Sequence, residues 1–156
     1  MAKEAANGIS SQYVTFMLGG ETYGIPILKL NEIIAYQALT IIPNVPSFVK
    51  GVLNLRGTVV PVIDLRERFH MEAKVYDQTT VIMILDVSGR ILGLVVDSVS
   101  DVVTINAEDI RPRPHFSTKI SVKFIQGMGV KDNRFVILLD VDKLLSEEEM
   151  DAVDGV

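Results

Sequence analysis

Apolar residues along this chain gather in short runs, each closed by a turn residue. "QYVTFML-GGE-TYGIPI" predicts two strands joined at Gly19-Gly20, where glycine accepts the positive φ of a tight hairpin. "TTVIMILDV-SGR-ILGLVV" repeats that form at Ser88-Gly89, and "GVLNLRGTVVPVIDL" forms a third hairpin with Arg56-Gly57 at its tip. Val59–Ile63 and Val81–Leu85 are apolar at every position instead of at alternate ones, which predicts strands buried on both faces.

The pattern occurs twice. Gly20 and Gly24 of the first hairpin recur as Gly89 and Gly93, Glu32 falls on Asp101, and Pro43 falls on Pro112. Further along, "VKGVLNLRGTVVPVIDLRERF" superimposes on "IQGMGVKDNRFVILLDVDKLL", with Gly51 on Gly127 and Asp64 on Asp140. The chain therefore divides into two related halves, residues 12–69 and 79–145, separated by the polar "HMEAKVYDQ" and preceded by a flexible tail over residues 1–11. Each half offers about five short strands, enough for a small closed barrel without exposed edges. The expected fold is all-β: two five-stranded barrels of SH3-like or OB-like size pressed around a shared core. Short helices complete it. Asp64 with Glu67 and Ser146 with Glu149 have capping-box spacing, so helical turns should start at both places.

Composition narrows the function. With 156 residues, 48% of them hydrophobic, one domain with a sizeable core is expected. There is no cysteine, which removes disulfides, thiol nucleophiles and thiolate metal sites. "MAKEAANGISS" lacks the apolar core of a signal peptide, and no apolar run approaches the about 18 residues that span a bilayer, so a cytoplasmic protein without direct membrane insertion is expected. The net charge of −5 argues against general nucleic-acid binding, and 6% aromatics argues against the stacking platforms of an oligonucleotide-binding barrel.

A search for chemistry finds little. His70 and His115 stand beside predicted loops without metal-ligand spacing, and no nucleophile elbow, P-loop or dinucleotide fingerprint is present. Asp64, Asp86, Asp97, Asp101 and Asp140 end apolar strands, where caps and turns account for them. No enzymatic step and no cofactor is expected. A small-molecule-binding barrel is the competing reading, and it would require a pocket with convergent polar groups.

What remains is surface. In "IPILKLNEIIAY" the aliphatics either close a corner of the first barrel or also line a groove, expected between the barrels and rimmed by Glu32 and Arg56. At the Arg56-Gly57 tip, Gly57 is expected to take the positive φ and leave Arg56 an ordinary conformation. The equivalent tip in the second half, Asp132-Asn133, is an ordinary turn pair. Folding does not require an arginine there. A rigidly mounted guanidinium able to grip a carboxylate or carbonyl is the functional reading.

These residues carry a resemblance. "VKGVLNLRGTVVPVIDLR", preceded by "YGIPILKLNEI" and followed by "GLVVDSVSDV" and "IRPRP", resembles the CheW family of chemotaxis coupling proteins, over nearly the whole chain. The resemblance implies an adaptor of two small β-barrels. It would join the cytoplasmic hairpin tip of methyl-accepting chemotaxis receptors to the regulatory domain of the CheA histidine kinase, and help to assemble receptor arrays. It also implies roles for particular positions: Arg56 as a functionally sensitive arginine, Leu30 and Glu32 in receptor engagement, Val81, Ile82, Gly93 and Val102 in receptor coupling, and Gly51 in kinase binding. For Gly51 and Gly93 a plain packing role is the alternative. Leu30 departs from the valine often found at that place in the family.

Overall fold

The computed structural model describes residues 10–111 and 121–154. The expected tail up to Ile9, His115 and the prolines of "IRPRP" lie outside them; Ser10 and Ser11 already belong to the first strand. Eleven strands follow in chain order: β1 (Ser10–Leu18), β2 (Glu21–Pro26), β3 (Leu30–Ala35), β4 (Val49–Leu55), β5 (Thr58–Asp64), β6 (Val81–Val87), β7 (Arg90–Val96), β8 (Ser98–Asn106), β9 (Ile110–Arg111), β10 (Ile125–Lys131) and β11 (Arg134–Leu139). Helix α1 (Leu65–Arg68) begins where Asp64 accepts the Glu67 N–H at 3.2 Å. Helix α2 (Glu147–Asp154) begins with a reciprocal box in which Ser146 Oγ accepts from Glu149 N and Glu149 Oε1 accepts from Ser146 N.

The strands form two sheets, ordered β8-β1-β2-β11-β10-β9 and β3-β6-β7-β5-β4. If β6 is taken as the repeat of β1, β7 of β2, β8 of β3, β10 of β4 and β11 of β5, the two orders are the same. Even the two-residue β9 has a counterpart, in the bridge between Thr40 and Val52. Yet neither sheet is one half of the sequence. The β1–β2 hairpin sits between β8 and β11 of the second half, and the β6–β7 hairpin sits between β3 and β5 of the first. The halves exchange their opening hairpins. Each exchanged hairpin is tied to its host by one antiparallel pairing (β1 to β8, β6 to β3) and one parallel pairing (β2 to β11, β7 to β5).

The chain crosses between sheets after each exchanged hairpin. The second crossing is a single residue, Asp97, between Val96 and Ser98. Its carboxylate accepts two hydrogen bonds from Arg66, at 2.8 Å each, and one from the Gly19 N–H at 3.0 Å. Burial works against the charge, but these donors outweigh it and hold the Asp97 carboxyl below its ordinary range.

The expected barrels are corrected to open, curled sheets, because no hydrogen-bonded pairing joins β8 to β9 or β3 to β4. The curl is visible in packing: a methyl built on Gly129 of β10 would lie 2.7 Å from Ile105 Cδ1 of β8. Each sheet wraps its own small core, Tyr13, Val103, Ile105, Val136 and Leu138 in one and Leu53, Val60, Val62, Ile82, Ile84 and Val95 in the other. Between the sheets lies a third, larger core that includes Phe16, Tyr23, Ile25, Phe69, Met83, Leu85, Leu92, Leu94 and Phe124. This arrangement explains the unbroken apolar runs from Val60 onward in β5 and along β6, while the expected burial of Val59 is corrected, since it stays 57% exposed near the hairpin tip. On β6, Ile82 and Ile84 face the sheet's own core while Met83 and Leu85 face the shared one, so both faces are buried.

Candidate docking site

The third hairpin places an arginine at the end of the second sheet. Arg56 (φ 51°) and Gly57 (φ 89°) both lie in the left-handed region, a type I′ tip matched to the twist of the flanking strands. The expected division of labour, with positive φ at glycine alone, is therefore corrected: twist selects the primed turn, and Arg56 adopts it too. Gly57 N–H donates to Asn54 Oδ1 at 2.7 Å, across the arginine.

From that tip the Arg56 guanidinium donates to the Glu32 carboxylate on the edge strand β3. This contact joins the two ends of the curled sheet that no backbone pairing closes. Arg56 remains 72% exposed and Glu32 30% exposed. The hydrogen bond to Glu32, and then its charge, hold the Arg56 pKa above its ordinary value. Beneath the pair lies a cleft of about 320 Å³ with Leu55, Val60, Ile84 and Ile91 as its apolar floor and Asn31, Glu32, Arg56 and Thr58 around it. All of these residues belong to one sheet, so the cleft lies at the mouth of the second sheet and not between the two sheets.

The same mouth on the first sheet differs in chemistry. By the repeat, Ile84 becomes Thr15, Ile91 becomes Thr22, Glu32 becomes Asp101 and Arg56 becomes Asp132. Thr15 and Asp101 satisfy each other internally, with the hydroxyl 2.7 Å from Asp101 Oδ1 and accepting the Asp101 N–H at 3.1 Å. An apolar floor under an Arg–Glu rim is thus a property of the second sheet alone.

The remaining sequence-derived positions divide by depth. Leu30 and Glu32 lie on β3, Val81 and Ile82 on its partner β6, and Gly93 on the next strand, β7. Leu30 and Val81 are half-buried against the shared core. Ile82 is fully buried, and a methyl built on Gly93 would lie 3.0 Å from Ile82 Cγ2 and 3.6 Å from Ile84 Cδ1. Ile82 and Gly93 therefore support the cleft floor from within. Gly51 stands apart, buried at a bulge of β4 with φ 146°, where a methyl would lie 2.4 Å from the Thr40 carbonyl oxygen. Val102 stands apart as well, 49% exposed on β8 of the other sheet. Sequence reasoning did not single out Asn54 or the floor residues. The signals were an Asx three residues before the tip glycine and the inward register of β4 to β7.

Among the described residues no grouping of His, Asp and Glu could hold a metal ion, and no helix is long and apolar enough to cross a membrane.

Comparison with known proteins agrees with this geometry. The CheW-like domain family model matches residues 12–149. The chain is 46% identical to the chemotaxis protein CheW of Klebsiella aerogenes, covering 100% of this chain and 94% of that one. It is 34% identical to the chemotaxis protein CheW of Treponema pallidum, covering 94% and 88%. The crystal structure of the scaffolding protein TtCheW from Thermoanaerobacter tengcongensis superimposes with a TM-score of 0.83 at 32% identity, covering 89% of this chain and 94% of that chain. The chain therefore belongs to the CheW-like domain family, a family of chemotaxis adaptors and scaffolds without enzymatic activity.

Proposed function

We propose that this adaptor works in the cytoplasm, coupling methyl-accepting chemotaxis receptors to the CheA histidine kinase, and that the mouth of the second sheet receives the receptor's hairpin tip. The observation that carries the reading is the Glu32–Arg56 pair standing over an apolar floor. An amphipathic helical tip can bury aliphatic side chains on Leu55, Val60, Ile84 and Ile91, and the rim charges then orient it. The regulatory domain of the kinase docks elsewhere on the sheets, which leaves both partners bound together. Signalling follows when these contacts favour one kinase state over the other, because equal binding to both states shifts nothing.

The test is co-elution of the chain with a cytoplasmic receptor fragment and a CheA regulatory domain, with single-stranded DNA as control. A ternary complex that Arg56→Ala weakens, with no DNA retained, supports the reading. A folded alanine variant with full receptor binding and full kinase control overturns the role of the cleft.

A further inference from the structure

We propose that Asn54 is the positioning residue for Arg56: its side-chain oxygen holds the hairpin tip in the doubly left-handed turn, and that turn aims the guanidinium at Glu32. The part that concerns binding rests on the docking role given to Arg56 above.

Four hairpins among the described residues have the same tip. The paired φ values are 61° and 84° at Gly19-Gly20, 51° and 89° at Arg56-Gly57, 54° and 83° at Ser88-Gly89, and 50° and 63° at Asp132-Asn133. What differs is how readily the first residue enters the left-handed region. Gly19 has no Cβ to clash, and Asp132 is of the short polar type that visits this region by bonding locally. Arg56 and Ser88 have no such dispensation.

Of the four, those two tips carry a brace from their own strand, whereas the Gly19 N–H is held by Asp97 from outside its hairpin. Asn54 Oδ1 accepts the Gly57 N–H at 2.7 Å, and Asp86 Oδ1 accepts the Gly89 N–H at 2.9 Å. In both, the acceptor lies two residues before the reluctant position and bonds one residue after it, so the bond brackets that position. At the tolerant tips the corresponding residues are Met17 and Val130, which have no carboxamide or carboxylate to offer. The brace follows the need for it. Burial does not explain Asn54, which is exposed.

The consequence concerns direction. With the brace removed, the tip relaxes toward turns in which its first residue is right-handed, and the Cα–Cβ bond of Arg56 swings away from β3. The ion pair with Glu32 cannot restore the turn by itself, because a long arginine side chain reaches a carboxylate from many backbone conformations.

The experiment compares the full chain with Asn54→Ala, Asn54→Asp, Arg56→Ala and Glu32→Gln. It reads the Arg56 Nε–Hε resonance by NMR and the affinity for a cytoplasmic receptor fragment by titration. Asn54→Ala should move the resonance to its position in Glu32→Gln and weaken binding about fivefold, the equivalent of one net hydrogen bond. Asn54→Asp should restore both, since a carboxylate accepts the same N–H. An unmoved resonance in Asn54→Ala, or a failure of Asn54→Asp to restore it, overturns the assignment. If Arg56→Ala binds the fragment as the parent does, the docking reading falls, while the resonance still decides what Asn54 does.

Discussion

Gly24 and Gly93 stand at the same point of the two sheets, each on the second strand of an exchanged hairpin and each without room for a methyl. A methyl on Gly24 would lie 3.0 Å from Val136 Cγ1 and 3.3 Å from Leu138 Cδ2; on Gly93 it would lie 3.0 Å from Ile82 Cγ2 and 3.1 Å from Val62 Cγ2. Val136 and Leu138 are the repeats of Val60 and Val62, so the duplicated halves have kept the same inner packing. Gly93→Ala should overpack the floor of the candidate cleft and cost about 1–3 kcal/mol, read as a lower urea midpoint. Its loss of receptor binding should scale with the loss of folded protein. An unchanged midpoint with abolished binding would instead place Gly93 at the contact surface.

Gly51 has a more severe constraint, because its neighbour is backbone. A side chain there meets the Thr40 carbonyl oxygen and forces φ 146° on a residue with a Cβ. Gly51→Ala should destabilise the fold by about 3 kcal/mol and disturb the β4 bulge, measured by denaturant unfolding. Loss of kinase binding by this variant would follow from instability.

Arg68 joins the two halves through their repeated phenylalanines. Its guanidinium carbon lies 4.7 Å from the Phe48 ring and 4.9 Å from the Phe124 ring, and its Nε donates to the Leu144 carbonyl at 2.5 Å. A pair to Glu149 at 3.3 Å also fastens α2. Arg68→Ala should cost about 2–4 kcal/mol in thermal or urea unfolding. Arg68→Lys should recover less than half of that, because an ammonium does not stack as a planar group between two rings.

Arg56 is the contrasting case, an exposed residue whose guanidinium pairs with the Glu32 carboxylate. Arg56→Ala should leave the unfolding midpoint within error of the parent while weakening receptor–kinase coupling in a reconstituted kinase assay.

The Asp97 crossing carries a pH dependence. Its carboxyl is held below the ordinary value of about 3.9, so the stability it confers is fully present above that pH and is lost as pH falls through the lower folded-state value. Unfolding free energies measured from about pH 5 downward should therefore fall less steeply for Asp97→Asn than for the parent, with the difference opening below about pH 4. Equal slopes would remove Asp97 from the acid response.

Much of this architecture was legible in the residues alone. Hairpins at Gly19-Gly20 and Ser88-Gly89, the caps at Asp64 and Ser146, the doubly buried strands and the internal repeat all depend on local chemistry and on periodicity, which a one-dimensional pattern records. The N-L-R-G tip and the aliphatic "ILKLNEI" segment marked the neighbourhood of the cleft for similar reasons.

The tertiary structure decided the rest, because the missing information is relational. Two halves with the same apolar pattern offer each hairpin two equivalent hosts, and periodicity does not distinguish pairing within a half from pairing across; the single-residue crossing at Asp97 sends β8 to the other sheet. The left-handed conformation of Arg56 depends on the twist of β4 against β5 and on the brace from Asn54. The meeting of Glu32 with Arg56 depends on how far the sheet curls, and the depth of Ile82 and Gly93 depends on which face of β6 and β7 turns toward the small core. Local pattern determined which segments became strands and turns; long-range packing determined which strands became neighbours.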